Sequence, residues 1–199
     1  LPDRAPQECG SDDLTGCDLF TMRTIVGFDP AAPSPLWMQR RLVACGMRPV
    51  SLAVDVTNYV MLEWGQPLHA FDYDALVKRA VGKAPAITVR PANPGEKLVT
   101  LDGQERTLGA ENLVIADAAG PIALAGVMGG RETEVTDATT TILLEAASFD
   151  AVSVRKTARQ FNLFSESSTR YSKGVHPEVV PLAAKRATQL FQQHAGAEV

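Results

Sequence analysis

Cysteine and histidine are scarce in this sequence, and their placement excludes two classes of protein. The 199 residues contain three of each. Cys9, Cys17 and Cys45 are odd in number, lack metal-ligand spacing and have no histidine near them in the sequence. The disulfide framework of a secreted protein and a zinc site are therefore both disfavoured. We expect reduced thiols, a cytoplasmic location and no bound metal.

Long apolar runs and an excess of positive charge are also missing. No run approaches the roughly 20 apolar residues that cross a bilayer, and no secretory signal is visible. Lys and Arg number 19 against 23 Asp and Glu, which disfavours a general binder of DNA or RNA held by a basic surface. The 45% hydrophobic and 21% charged residues predict one ordinary globular domain, or two small ones sharing a core. Because the chain begins at Leu1, we expect a piece of a larger protein.

Common enzyme motifs are absent as well. The glycines of residues 126–130 are not followed by Lys-Ser/Thr or by the start of a helix, as a phosphate-binding loop requires. Neither His-Glu-x-x-His nor Gly-x-Ser-x-Gly occurs. Motifs alone thus predict an α+β domain that binds a ligand.

The first half of the chain predicts helices after an irregular start. Residues 1–22 are polar and aperiodic, which is typical of a lead-in or linker. Ser34 suits the cap of a first helix. A second helix is predicted to begin at its cap, Asp55 or Thr57, and to end near Glu63.

Strand periodicity follows, and then helical periodicity returns. Asp102-Gly103 between two β-like runs predicts a hairpin. Strands are predicted over residues 86–90, 97–101, 104–108, 112–116, 122–125 and 139–147. Helices are predicted over residues 151–160, 165–173 and 177–194. This order predicts an α+β fold, an antiparallel or mixed β-sheet core flanked by helices.

Residues 57–72 do not fit a plain amphipathic helix. They form an apolar stretch that carries Asn58 near its start. Gly65 and Pro67 end a helix and fix a turn, and His69 follows directly. Because the turn brings His69 back toward the helix start, we expect Asn58 and His69 to face one cavity.

Four segments, in order, resemble the editing domain of the beta subunit of bacterial phenylalanyl-tRNA synthetase. The segments are residues 54–72, 124–130, 143–149 and 165–177, and the likeness extends from about Arg23 to the end. The resemblance implies that residues 23–199 form this domain. It implies a β-rich core flanked by helices, with a pocket remote from the synthetic site, where tyrosine wrongly attached to phenylalanine tRNA is hydrolysed.

The resemblance also implies partners and cofactors. The aminoacylated 3′ end of phenylalanine tRNA would bind here, and the synthetase alpha subunit would complete an α2β2 heterotetramer. ATP and magnesium belong to synthesis by the whole enzyme. No cofactor, membrane or DNA is implied for this chain.

Editing needs a pocket that prefers tyrosine. A hydrophobic pocket rejects an added hydroxyl only about 100-fold. A buried polar group reverses the preference, because tyrosine satisfies it whereas phenylalanine leaves it unpaired at a cost of roughly 1–3 kcal/mol. The resemblance assigns this role to Glu145, within the apolar residues 142–147. Sequence alone would make Glu145 an exposed strand residue.

The resemblance places His69, Asn58 and Thr57 beside the ester as catalytic residues. We expect His69 to orient the water or the terminal ribose rather than to act alone as a strong base, because an aminoacyl ester is already activated. The adjacent ribose hydroxyl would assist. From the residues alone, a histidine after a proline turn is more often structural, and Asn58 fits a helix cap.

Four small residues complete the implied substrate site. Gly126 and Gly129 would let the backbone approach the substrate, although a simple loop or bulge is an equal alternative. Ser165 keeps a hydroxyl where the family has threonine. Ser167 replaces the family's pocket-lining alanine, so it would narrow the pocket or add a hydrogen bond.

Residues 155–173 carry five cations and only Glu166 as an anion. Arg170 and Lys173 in this strip would contact acceptor-end phosphates. A solvated helix face is the alternative on charge alone.

Two other functions stay open. A non-catalytic scaffold or tRNA-positioning module would keep the fold with a decayed pocket. A free-standing domain that binds RNA or another ligand would lack synthetase modules around it.

Overall fold

The computed structural model describes the backbone of residues 8–11 and 15–199, and the side chains from residue 15 onward. The strands are β1 (Glu8–Ser11), β2 (Cys17–Val26), β3 (Leu68–Asp72), β4 (Ala86–Pro91), β5 (Lys97–Val99), β6 (Glu105–Thr107), β7 (Leu113–Asp117), β8 (Gly120–Leu124), β9 (Met128–Gly129) and β10 (Thr141–Phe149). The helices are α1 (Leu36–Ala44), α2 (Leu52–Trp64), α3 (Tyr73–Arg79), α4 (Ala151–Phe161), α5 (Glu166–Tyr171) and α6 (Val179–Ala195), with a 3-10 turn at Arg131–Thr133.

The strands of the described residues form three sheets. The largest has the order β1-β4-β7-β8-β9, in which only β1 and β4 pair in parallel. A second, antiparallel sheet has the order β2-β10-β3, and β5 and β6 form a hairpin. The predicted α+β class and the Asp-Gly hairpin are confirmed.

Strand β10 is the central strand of the three-stranded sheet, and all nine of its residues are buried. Alternate residues of a strand point to opposite faces. Leu143, Ala147 and Phe149 pack into a core shared with the large sheet. Ile142 and Leu144 pack into the core formed with α1, α2 and α6. Glu145 shares the face of Leu143 and therefore points toward the large sheet.

The predicted irregular start is wrong where it can be checked. Residues 8–11 and 17–22 are strand, because β2 pairs along β10 and β1 pairs with β4. Residues 1–7 and 12–14 of the predicted segment, and the side chain of Cys9, lie outside the described residues.

The predicted helix caps are also wrong. Pro35 occupies the cap of α1, and the Ser34 hydroxyl donates instead to Asp55 Oδ2 at 2.6 Å. Helix α2 begins earlier than predicted, with Ser51 as its cap. Asp55 lies inside α2, where it also accepts the Val50 N–H at 2.8 Å. A long-range hydrogen bond thus replaces the local cap.

The turn after α2 is as predicted. Gly65 ends the helix in the left-handed conformation at φ 71°, which glycine adopts without a Cβ clash. The chain then enters β3. Sequence patterns did not predict β3 or α3.

Candidate functional site

The turn places His69 beside the first half of α2. A cavity of about 310 Å³ is lined by Thr57, Asn58 and His69, together with part of the segment at residues 134–137. The prediction that Asn58 and His69 face one cavity is confirmed. Asn58 lies within α2 and is not its cap.

Thr57 contributes less polarity to this cavity than its hydroxyl suggests. The residue is buried, and its hydroxyl donates to the Val54 carbonyl at 2.8 Å, one turn earlier in α2. Asn58 is half-buried, so its amide is the more accessible polar group of the pair.

Glu145 and His69 lie directly opposite each other in the β10–β3 ladder. Such cross-strand partners have Cβ atoms about 4.5–5.5 Å apart and share one face of the sheet. Glu145 is only 4% exposed, and its Oε1 is buried without a hydrogen-bond partner. Burial raises the pKa of the Glu145 carboxyl to about 8. Contrary to the reading from sequence alone, Glu145 is not an exposed strand residue.

His69 is in a similar electrostatic state. Its Nε2 is buried without a hydrogen-bond partner, and burial lowers the pKa of the imidazole to about 4. The ring packs edge-on against Phe71, with centroids 4.4 Å apart. At neutral pH the imidazole and the opposite carboxyl are therefore both predominantly uncharged, each with an unused polar atom.

A second, smaller cavity of about 70 Å³ adjoins the first. Glu145 and Ser167 contribute to its lining, and the rings of Phe149 and Tyr171 form part of its wall. Leu68 and His69 line both cavities. His69 thus stands between a small cavity with a buried acid and a larger one with Asn58.

Two glycines hold close contacts at this site. A Cβ on Gly129 would lie 2.5 Å from Cε1 and 2.7 Å from Nε2 of His69, so only glycine lets β9 approach the imidazole. Gly126 has a φ of 71°, and a Cβ there would crowd Val154, Tyr171 and Phe149. Gly126 and Gly129 both line the small cavity. Their predicted close approach to a substrate stays a prediction.

Ser165 and Ser167 join α5 to the loop at residues 126–127. Ser165 caps α5 by accepting the Ser168 N–H at 3.0 Å, and its hydroxyl donates to the Val127 carbonyl at 2.9 Å. Ser167 donates to the Gly126 carbonyl at 3.1 Å. Both hydroxyl hydrogens are therefore used by the protein itself.

The two basic residues predicted to contact phosphates differ in their surroundings. Arg170 pairs with Glu166 on α5 at 2.6 Å, whereas Lys173 is exposed. Exposed Arg155, Lys156 and Arg159 lie on α4. Contact with RNA by any of them stays a prediction.

Two fully buried residues that the sequence analysis missed, Gln66 and Tyr171, lie at the base of the site. The Gln66 amide donates to the carbonyls of Pro67 at 2.8 Å and Ala147 at 2.9 Å, while the Tyr171 hydroxyl also donates to Ala147 at 2.9 Å. The one available signal was a polar glutamine between Gly65 and Pro67.

Within residues 15–199, no cluster of three or more His, Cys, Asp or Glu side chains is arranged to hold a metal ion. No helix in this part of the chain is long and apolar enough to span a membrane.

The fold and site together define an α+β domain that encloses a pocket between a sheet of three strands and a sheet of five. Residues 16–196 match the family model described as the B3/4 domain, and the chain belongs to this family.

Its relatives identify the proteins that carry such a domain. The chain is 55% identical over 91% of its length to the phenylalanine–tRNA ligase beta subunit of Streptomyces avermitilis. It is 50% identical over its whole length to that of Moorella thermoacetica. It spans 21% and 25%, respectively, of these two relatives.

A solved structure supports the fold. An N-terminal fragment of the phenylalanyl-tRNA synthetase beta subunit from Pyrococcus horikoshii aligns with a TM-score of 0.59 at 13% identity. The alignment covers 100% of this chain and 52% of that one. At this identity the likeness shows the fold alone.

Proposed function

We propose that this chain is the editing domain of a cytoplasmic phenylalanine–tRNA ligase beta subunit. In this role it binds the aminoacylated 3′ end of phenylalanine tRNA and hydrolyses tyrosine attached there in error. The observation that carries the proposal is the buried, unpartnered Oε1 of Glu145, directly opposite His69 beside a cavity. Two relatives that are 50% and 55% identical are named as phenylalanine–tRNA ligase beta subunits, and these names support the choice of tRNA and of enzyme.

Glu145 recognises the phenol hydroxyl. A carboxyl with a pKa of about 8 is mostly protonated at neutral pH, so it can both donate and accept a hydrogen bond. Tyrosine pairs with this group. Phenylalanine leaves it unpaired in an apolar surrounding, which costs roughly 1–3 kcal/mol.

His69, which lines both cavities, positions the ester for hydrolysis. A water oxygen attacks the ester carbonyl carbon, the bond from that carbon to the ribose oxygen breaks, and the ribose oxygen gains the proton that the water loses. An imidazole with a pKa of about 4 is a weak base at neutral pH. It therefore orients the water or the ribose, with Asn58 beside it, and an adjacent ribose hydroxyl can relay the proton.

The remaining parts of the proposal concern the whole enzyme. The alpha subunit, in an α2β2 heterotetramer, carries synthesis with ATP and magnesium, and this chain contributes hydrolysis without a cofactor. Lys173 and the α4 cations face the acceptor-end phosphates. Arg170 joins them if its pair with Glu166 opens.

The test is deacylation of tyrosine and phenylalanine esters of phenylalanine tRNA by the assembled ligase. We expect the wild type to hydrolyse the tyrosine ester faster, and Glu145→Ala to shrink the ratio of the two rates by about 5- to 150-fold, since the cost is roughly 1–3 kcal/mol and each 1.4 kcal/mol is tenfold. Glu145→Gln keeps a donor and an acceptor and serves as the matched control.

An unchanged ratio in Glu145→Ala would reject the role of Glu145. A wild-type rate equal to the uncatalysed rate, with no further loss in His69→Ala, would instead identify a scaffold or tRNA-positioning module.

A further inference from the structure

The β3–β10 ladder ends one pair beyond His69 and Glu145. Its last pair is Leu68 with Ala146, next to the pair of His69 with Glu145. The preceding residue, Pro67, has no N–H and cannot continue the ladder. The carbonyl of Ala147 on β10 therefore needs donors from outside the ladder, and the Gln66 amide and the Tyr171 hydroxyl both donate to it.

Gln66 supplies one of these donors from its side chain. Its Nε2 lies 2.9 Å from the Ala147 oxygen and 2.8 Å from the Pro67 oxygen, so the amide joins the residue that precedes β3 to β10. Gln66 is completely buried, and its own Oε1 has no partner. An unpaired buried acceptor costs roughly 1–3 kcal/mol, which makes glutamine a poor choice for packing alone.

The same amide reaches α5. Gln66 Nε2 lies 3.2 Å from the Tyr171 hydroxyl, which itself donates to Ala147 at 2.9 Å. The Tyr171 ring lines the small cavity and packs against Phe149, with centroids 5.1 Å apart. The position of this cavity wall therefore depends on the hydrogen bonds at the Ala147 carbonyl.

We infer that Gln66 is a positioning residue, which fixes the separation of β3, β10 and α5 so that His69 and Glu145 face the substrate in register. This inference rests on the proposed editing function. Ala147 lies two residues after Glu145, and Pro67 lies two residues before His69, so both polar groups depend on the same side-chain amide. Gln66 touches neither the ester nor the phenol.

The experiment compares Gln66→Leu with Asn112→Leu in the assembled ligase. Asn112 is an equally buried amide that joins β7 to α4 through Gln160 at 2.6 Å and holds the Gly109 N–H at 2.9 Å, and it lines neither cavity of the site. Both variants lose a buried amide. Only Gln66→Leu should alter the ratio of tyrosine to phenylalanine deacylation.

We expect Gln66→Leu to lower that ratio at least tenfold, while Asn112→Leu changes it less than twofold at matched folded protein. Gln66→Asn should recover little of the lost ratio, because its side chain is one methylene shorter and its amide falls short of the Pro67 and Ala147 carbonyls. Tyr171→Phe should have a smaller effect than Gln66→Leu, because the Gln66 amide still joins Pro67 to Ala147, whereas the single hydroxyl hydrogen of Tyr171 bonds Ala147 alone.

Each outcome decides the matter. A wild-type ratio in Gln66→Leu, with only thermal stability reduced, would reject positioning and leave a structural glutamine. Equal loss of the ratio in both leucine variants would reject it as well. Absence of hydrolysis in the wild type would instead remove the proposed function, and this inference with it.

Discussion

Two buried carboxyl groups, one in α2 and one in β10, differ in their hydrogen bonding. Asp55 is 1% exposed and accepts hydrogen bonds from the Ser34 hydroxyl and the Val50 N–H. Glu145 is 4% exposed, and its Oε1 accepts none. The two side chains are therefore buried to a similar degree, but only Asp55 has hydrogen-bond donors beside both of its oxygens. An unsatisfied buried acid, rather than a buried acid as such, therefore marks the candidate site.

The largest expected effect is the pH dependence of stability that the buried, unpaired carboxyl of Glu145 causes. The unfolded chain loses the Glu145 proton near its ordinary pKa of 4.5, whereas the folded chain keeps it to about pH 8. The free energy of unfolding therefore falls as pH rises through this window, by about 1.4 kcal/mol per unit. Glu145→Gln cannot ionise, so its stability relative to wild type should grow by about 4 kcal/mol between pH 4 and pH 8.

Urea unfolding of the 199-residue chain across this pH range measures the difference. Asp55→Asn is the control, and should be destabilised, because an amide nitrogen cannot accept one of the hydrogen bonds that Ser34 and Val50 donate to the carboxylate. Because the pKa of His69 falls from 6.5 in the unfolded chain to about 4 in the folded chain, stability is also lost as pH falls below 6.5. This loss is the same in wild type and in Glu145→Gln. Parallel curves for those two proteins would contradict the assigned state of Glu145.

The second effect tests whether close packing rather than hydrogen bonding holds His69. A Cβ introduced by Gly129→Ala would displace the imidazole, and a misplacement of about 1 Å can cost about 100-fold in rate. We expect a loss of that order in tyrosine deacylation. Gly109→Ala is the control, since the three atoms nearest to its Cβ all belong to the exposed, movable carboxylate of Glu111. Equal rates in the two variants would show that the contact with Gly129 is unimportant.

The smallest effect concerns Ser167, at the position where the resemblance implies an alanine. Its hydroxyl already donates to the Gly126 carbonyl, so it adds little to the polarity of the cavity. We expect Ser167→Ala to change the ratio of tyrosine to phenylalanine deacylation less than twofold and to cost about 1 kcal/mol of stability. A tenfold rise in tyrosine deacylation would show instead that the hydroxyl obstructs the pocket.

Much of the architecture could be read from local patterns. The Asp102-Gly103 hairpin and α4 follow from turn chemistry and periodicity. The end of α2 at Gly65 follows from glycine's left-handed conformation. Strand β2 could not be read in this way, because its pairing with β10 is long-range. Ser34 failed as a cap for the same reason, since Asp55 takes its hydroxyl from 21 residues away.

Local sequence patterns specify most strands of the middle region, the turn before His69 and the residues that resemble an editing domain. These depend on contacts between near neighbours, which spacing records. Long-range packing places His69 opposite Glu145 across β3 and β10 and leaves His69 Nε2 and Glu145 Oε1 without partners. It also places the Gln66 amide against the Ala147 carbonyl, where Pro67 has no N–H to donate. Register, burial and the resulting pKa shifts arise from segments about 80 residues apart, and no local pattern encodes the desolvation that they share.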